Sequence, residues 1–338
     1  MKATIPEAEL QRLAAGALER MGVPAPDAQL CARVLVLGDL FGLGTHGTSR
    51  VESYGERLAL GAIKAKADIR VEQVAPTMAR LDGDSGLGPV VGMRALEEAM
   101  RMARETGTGL VFARNSNHFG PVAPYSYLAA TEGFASIIGS NASTTIAPTG
   151  GKEARLGNSP VAFAVPNPGG RPFILDMALS VAARAKIRNA AKAGEPIPDT
   201  WATDRDGRPT TDAKAALDGF LLPIGGHKGY GLALIVDLFA GLLSGAAYLT
   251  HVNSWSESPE LAGNLGHFYF LFDAKRLGST EWLHGRMQDF AAILHGTPAS
   301  DPARPVRIPG EQELDNLERQ RRDGISLDAA LVERLRKG

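Results

Sequence analysis

Residues 41–50 read FGLGTHGTSR and place His46 between Gly44 and Gly47, with Thr45 before it and Arg50 four positions on. An imidazole titrates near pH 6.5, which suits proton transfer at neutral pH. A guanidinium presents a planar fork that binds a carboxylate through two hydrogen bonds. If a helix begins near Thr48, both side chains face one cleft. An acid beside a carboxylate clamp is what reduction of a 2-oxo acid requires. The opposing reading is a solvated His and Arg at a helix start.

Three other segments carry chemistry-bearing residues. His118 in NSNHFGP ends a strand-like run and is crowded by Asn115, Ser116 and Asn117. It reads equally as an acid/base and as a strand-end turn. GGHKGYG, residues 225–231, opens an apolar helix with His227 and Lys228. Bare N–H groups at a helix N-terminus suit an anion and Lys228 adds charge, against a plain glycine-rich helix start. Its spacing is not that of a nucleoside-triphosphate loop. Asp176, in DMALSVAARAK, is either an N-cap or an acceptor for a ribose or amide. Seven histidines without an H-x-x-x-H pair give no metal-site spacing, so no catalytic metal is expected.

The elements that must hold these residues follow from pattern. The chain has 338 residues, long enough for about two domains, and a formal net charge of −1. That charge gives no reason to expect a nucleic-acid or anionic-membrane partner. One cysteine, Cys31, excludes a disulfide framework and fits a reducing, cytoplasmic setting. Residues 4–21 and 27–41 read as amphipathic helices, the first with Thr4 as N-cap ahead of Pro6 and Glu7. A helix over 49–60 and two strands within ADIRVEQVAPTMARLDG follow. Gly86, Gly88 and Gly92 precede a helix where a dinucleotide fingerprint would stand. Their spacing is off by one, Pro89 sits at the helix start, and the acidic residue expected about 20 positions on is missing. Helix packing is the better reading.

Strands are expected over 109–118, FASIIGSNAS, PVAFAVP, RPFILDMA and GHFYFLFD. Helices are expected over 121–132, 180–193, 279–295 and 311–323, with a last one capped by Ser326. Residues 194–224 form a Pro/Gly/Asp-rich excursion. The apolar run 229–249 raises the membrane question, but Asp237 at its middle and its glycines favour a buried helix. Strands and helices mix throughout, giving an α/β or α+β class.

Eight short segments, in this order, resemble the type 2 malate/L-lactate dehydrogenase family. They are G-x-x-THG-x-x-R at 42–50, NHFG at 117–120, APTGG at 147–151, GNSP-x-A-x-AVP at 157–166, LDMA at 175–178, GGHKGYGL at 225–232, GHF at 266–268 and PGE at 309–311. The resemblance runs over about residues 5–335. It implies a mixed α/β, non-Rossmann nicotinamide-binding fold. In it, residues 1–75 and 280–338 form a helical domain and 76–279 the cofactor domain, with the excursion at about 194–224. It implies NAD or NADP as cofactor, a homodimer, and a 2-hydroxy/2-oxo acid substrate of malate, lactate, ureidoglycolate or sulfolactate type. Reduction of a cyclic imino acid is the alternative reading. A non-catalytic nucleotide-binding protein is a third.

Residue by residue, His46 matches the family's proton donor and Arg50 its carboxylate ligand, with the Thr45 hydroxyl within reach of the imidazole. His118 matches a histidine given the acid/base role in ureidoglycolate-type members, which leaves two candidate acids, His46 being preferred because Arg50 fixes a substrate beside it. Asn141, Ala142 and Ser143, Asn158 and Ser159, Asp176, Met177 and Ala178, and His227 with Lys228 match cofactor contacts. Arg307 and Gly310 lie in a late cofactor-side loop. The chain departs from the pattern at Gly44, where many members carry Asp, and at Ala185, often glycine. Lys186 stands where imine-reducing members have Asp, which favours the hydroxy-acid branch.

Overall fold

A computed structural model describes residues 2–255 and 257–337. The chain opens with a short strand, β1 (Lys2–Ile5), and turns at Pro6 into α1 (Glu7–Arg20). Glu7 and Glu9 in the first turn oppose the positive end of the helix dipole. Leu10, Ala14, Ala17 and Leu18 recur at helical spacing and are buried. In α2 (Ala25–Leu40) the run from Val34 to Leu40 is buried on every face, because α1 and three later helices surround it. Next come α3 (Arg50–Ala59), the hairpin strands β2 (Arg70–Ala75) and β3 (Met78–Asp82), α4 (Gly88–Thr106), β4 (Thr108–Ser116) and α5 (Ala123–Thr131).

The chain then adds β5 (Phe134–Ser140), the short pair β6 (Thr144–Ile146) and β7 (Leu156–Gly157), β8 (Val161–Val165) and β9 (Phe173–Met177). After α6 (Arg184–Ala193), α7 (Ala213–Asp218) and α8 (His227–Asp237), β10 (Leu265–Asp273) completes the sheet. The chain closes with α9 (Thr280–His295), α10 (Glu311–Asp323), β11 (Ile325–Asp328) and α11 (Ala329–Lys337).

Seven strands form the main sheet in the order β2-β3-β4-β10-β5-β8-β9. Only β3 and β4, joined by the α4 crossover, run parallel; every other neighbouring pair is antiparallel. Among the described residues there is therefore no doubly wound parallel sheet, and with it no Rossmann site. The glycines of the false fingerprint serve packing. A Cβ on Gly88 would lie 2.2 Å from the His118 carbonyl oxygen, and one on Gly92 would lie 2.9 Å from the Tyr125 ring.

The antiparallel order has a consequence for the site. It brings the C-terminal ends of β4, β5 and β9 and the N-terminal ends of β8 and β10 to one edge. His267 of β10 ties that edge together: its Nε2 lies 2.7 Å from Ser116 Oγ and its Nδ1 2.9 Å from Ser140 Oγ. It is fully buried, and burial lowers its pKa to about 3, so it bridges the strands as a neutral ring.

Several expectations need correction. Thr4 and Ser326 are not helix caps; they are directly paired across β1 and β11. The strand expected to end at His118 stops at Ser116, and α6 begins at Arg184 rather than 180. The apolar run is broken into α8, a wider π-helical turn over Leu238–Leu243 and a 3-10 turn at Leu249–His251. Asp237 is buried there and accepts the Leu249 N–H at 3.1 Å. Among the described residues no helix is long and apolar enough to cross a membrane. The excursion holds α7 and packs Ile197, Ala202 and Leu221 against Ile187 of α6 in a small apolar cluster.

Candidate active site

The first wall grows from β4. Asn115 takes a left-handed backbone (φ 49°) just before the strand ends, a conformation asparagine tolerates. Its side chain donates to Asp82 at 2.9 Å and its N–H to Asn264 at 3.0 Å, fixing the bend. Asn117 then donates to the carbonyls of Ser85 and Gly86, and His118 projects beyond the sheet. Nδ1 of His118 receives the Gly120 N–H at 3.4 Å and lies 2.9 Å from the Tyr54 hydroxyl. An Nδ1 that accepts from a backbone N–H is unprotonated, so Tyr54 donates to it and the neutral ring carries its proton on Nε2.

The second wall is the turn between α2 and α3. Gly44–His46 form one 3-10 turn. Asp39, 3 % exposed near the end of α2, accepts from Thr48 N–H at 2.8 Å and Thr48 Oγ1 at 2.6 Å. A Cβ on Gly47 would lie 1.9 Å from that carboxylate, so only glycine fits there. Gln320 of α10 holds the carbonyls of Asp39 and Leu40, each at 2.8 Å. The turn carrying His46 thus stands on a buried carboxylate. Thr45 Oγ1 and His46 Nδ1 are 2.9 Å apart. Arg50 opens α3 and donates Nε to the Thr45 carbonyl at 2.7 Å. Its guanidinium lies 5.1 Å from the Trp255 ring centre and pairs with no carboxylate among the described residues.

These walls meet. The His46 and His118 rings are stacked with centroids 5.5 Å apart, and Trp255 stacks on His118 at 4.9 Å. They border a cavity of about 330 Å³ at the common strand edge. Of the residues singled out in the sequence, His46, His118, Asn141, Ala142, Ser143, Asn158, Asp176, Met177 and Ala178 line it. Asn158 and Ser143 present side chains with no hydrogen-bond partner among the described residues. The Asn141 amide is already committed, to Ala247 O at 2.6 Å and Gly266 N at 3.0 Å. Ser159 is turned inward, fully buried, and donates to Gly157 O at 3.3 Å.

Gly310 borders a second depression of about 200 Å³ that shares Leu43 and Asp176 with the cavity. His227, Lys228 and Arg307 do not line the cavity. His227 and Lys228 are exposed at the start of α8, and Arg307 pairs with Asp315 at 3.1 Å. The α8 start nevertheless adjoins the cavity side, since Ile224 N–H bonds to Leu179 O at 3.0 Å, next to Ala178.

Tyr54, Arg57, Asn117 and Trp255 also line the cavity. Sequence reasoning passed over them as site residues. Tyr54 and Arg57 fall four and seven places after Arg50 on α3, a helical-face signal that could have found them. Trp255 had no such signal.

Burial first, then the Arg50 charge, lowers the His46 pKa to about 4. His118 is pushed well below its ordinary value by burial, and secondarily by Arg50 and His46. Asp176 is raised to about 6 by burial, against the pull of the Ala123 and Val122 N–H groups at the start of α5. Its Oδ2 accepts from Ala123 N at 2.8 Å, so Asp176 caps α5, not the helix that follows it in sequence. The cavity therefore joins two neutral imidazoles, polar strand ends and apolar surface from Leu43, Phe119, Pro121 and Met177, while Arg50 does not itself line it and reaches its wall through Trp255.

Known proteins are similar to this chain over nearly its whole length. The sequence profile described as malate/L-lactate dehydrogenase matches residues 5–336. A malate dehydrogenase from Pyrococcus horikoshii is 35% identical, covering 98% of this chain and 93% of its own. A (2R)-3-sulfolactate dehydrogenase (NADP(+)) from Chromohalobacter salexigens is 38% identical, covering 97% and 96%. A ureidoglycolate dehydrogenase (NAD(+)) from Escherichia coli is 31% identical, covering 90% and 86%. The solved structure of sulfolactate dehydrogenase from Methanocaldococcus jannaschii superposes with a TM-score of 0.91 at 35% identity, covering 99% of this chain and 96% of the other. With the profile, the identities and the fold in agreement over nearly its full length, the chain belongs to the malate/L-lactate dehydrogenase family.

Proposed function

We propose that the protein is an NAD(P)-dependent 2-hydroxyacid dehydrogenase whose substrate lies between His46 and Arg50. The observation that carries this reading is the Arg50 guanidinium, tethered by Nε, paired with no carboxylate among the described residues, and set against Trp255 of the wall of the cavity that holds two neutral imidazoles. Arg50 takes the substrate carboxylate through its free Nη edge. His46, one turn earlier, then faces the C2 oxygen and gives it a proton in reduction or accepts one in oxidation. With Nδ1–H of the neutral ring donating to Thr45 Oγ1, Nε2 is bare and takes the proton in oxidation, and the imidazolium so formed gives it back in reduction. A carboxylate on Arg50 also offsets the positive charge that helps to lower the His46 pKa, so binding raises the imidazole's basicity.

The cavity suits a nicotinamide. Asn158 and Ser143 offer uncommitted polar groups, Asp176 a carboxylate, and Met177 with Ala178 an apolar surface. The depression beside Gly310 extends the cleft for the rest of a dinucleotide, with His227, Lys228 and Arg307 at its periphery. When bound, the cofactor supplies or accepts the hydride at C2. Holding the reactants in one orientation is the protein's share of the work. His118 orients the site from the second wall, and Lys186, lying 6.0 Å from the Trp201 ring centre, supplies no carboxylate of the imine-reducing kind.

We also propose a homodimer, with residues 1–75 and 280–338 as one unit and 76–279 as the cofactor unit. Leu232, Ile235, Leu242 and Leu243 on α8 and the turn after it are about half exposed, and Ile293 of α9 is 65 % exposed. Apolar faces of this extent call for a covering partner. Light scattering at micromolar concentration reads the mass directly.

The test of function is oxidation of NADH and of NADPH, followed by absorbance, against pyruvate, oxaloacetate, sulfopyruvate and one cyclic imino acid. Turnover of a 2-oxo acid supports the reading and shows which cofactor is used. Turnover of the imino acid alone, or cofactor binding with no turnover, contradicts it.

A further inference from the structure

Trp255 comes from the segment that leads into β10, far in sequence from both histidines, yet it forms part of the cavity wall. Its indole stacks on His118 with centroids 4.9 Å apart and an interplanar angle of 28°, and the Arg50 guanidinium lies 5.1 Å from its ring centre. The ring thus touches both the group assigned to the substrate carboxylate and the second histidine. It is half-buried, packed against the main hydrophobic core while facing the cavity.

The segment is anchored for that purpose. Arg57, 4 % exposed, spends one guanidinium nitrogen on the Leu261 carbonyl at 2.9 Å, and Asn253 donates to Ala262 O at 2.9 Å. Gly263 N–H reaches Asn117 Oδ1 at 3.5 Å, tying the segment to the residue before His118. A buried arginine bonded to the carbonyl of a loop makes a rigid wall of it.

We propose that Trp255 sets the size of the substrate: it closes the space beyond C3 of an acid held on Arg50 and admits only short, unbranched 2-oxo acids. The proposal rests on the reading of Arg50 as the carboxylate ligand. It follows from two facts. The cavity, at about 330 Å³, is at the small end of the roughly 300–1,000 Å³ range of ligand sites and must also take a nicotinamide. The bulkiest side chain available stands against the guanidinium that fixes the substrate.

The experiment compares kcat/KM for pyruvate and for 4-methyl-2-oxopentanoate in the wild type, Trp255→Phe and Trp255→Ala. The cofactor KM reports that each variant is folded. Trp255→Ala should raise the bulky-to-small ratio by about tenfold or more, the scale of selectivity that hydrophobic contacts give, with Trp255→Phe between. A ratio within about twofold of wild type in Trp255→Ala overturns the proposal, whatever happens to the absolute rates. Calorimetric titration with oxamate and with phenylpyruvate gives a second readout that needs no turnover. If the wild type reduces no 2-oxo acid, the proposed reaction fails. The binding ratio of the two probes then decides the role of Trp255 separately: a shift towards phenylpyruvate in Trp255→Ala supports it and no shift overturns it.

Discussion

The hydroxyl of Tyr54 lies 2.9 Å from Nδ1 of His118 and holds that imidazole in the tautomer with its proton on Nε2. Tyr54 is fully buried, so its hydroxyl has no water to fall back on. Tyr54→Phe should cost about 1 kcal/mol of stability and lower kcat/KM by roughly tenfold, since the ring keeps its place but loses its tautomer lock. Denaturant melts and steady-state kinetics on the same preparation check both numbers. Unaltered kinetics would show that the tautomer of His118 does not matter to turnover.

Asp39 and Thr48 make the corresponding lock on the other wall. Asp39→Ala removes the acceptor of both Thr48 donors and releases the turn that carries His46. A displacement of about 1 Å there is enough to lower kcat by roughly 10²-fold. The cofactor KM should stay near wild type, because Asp39 does not line the cavity. Asp39→Asn retains one acceptor oxygen and should recover much of the loss. Equal rates in Asp39→Ala and wild type would mean that the turn is fixed by other contacts.

The ease of reading each part of the site depended on how local it is. His46 and Arg50 are four residues apart on one turn, so their pairing was visible in the sequence. The strand segments ending in Ser116, Ser140 and Met177 were visible as apolar runs. Their meeting at one edge was not, because β10 is inserted between β4 and β5 from far along the chain. Trp255 arrives with it. Thr4 and Ser326 were misread for the converse reason: each has a capping residue type, but pairing between the two ends of the chain outweighed the local preference. Asp176 was read correctly as a possible cap and assigned to the wrong helix, since α5, the one it caps, lies before it in sequence.

The pH dependence of hydroxy-acid oxidation follows from His46. Oxidation requires the neutral ring as proton acceptor, and burial together with Arg50 lowers its pKa to about 4. kcat/KM should therefore be level above about pH 5 and fall only as pH approaches 4. Arg50→Gln removes the second cause, so its acid limb should move to higher pH. A wild-type limb centred near the ordinary imidazole value of about 6.5 would contradict the burial of His46.

Stability carries a second signature of a buried neutral histidine. The unfolded chain binds a proton at His267 below about pH 6.5, whereas the folded protein does so only near 3. The folded pKa is depressed, so the contribution of His267 is fully present above pH 6.5 and is lost as pH falls towards 3. The slope is at most roughly 1.4 kcal/mol per pH unit. Asp39 and Asp176, raised to about 6, pull the other way between their ordinary range and that value. Comparison with His267→Gln isolates the histidine. The stability advantage of wild type over the variant should shrink between about pH 7.5 and pH 5 in urea titrations. A constant difference would mean that the ring is not buried neutral.

The most direct test of the account is the turnover of His46→Gln beside its affinity for NADH or NADPH, with His118→Gln as the control. If His46 handles the proton, its variant loses at least about 10²-fold in kcat while the cofactor Kd is unchanged, and His118→Gln loses roughly tenfold. Retained turnover in His46→Gln, with the large loss appearing in His118→Gln, would move the acid/base role to His118 and contradict the assignment of His46.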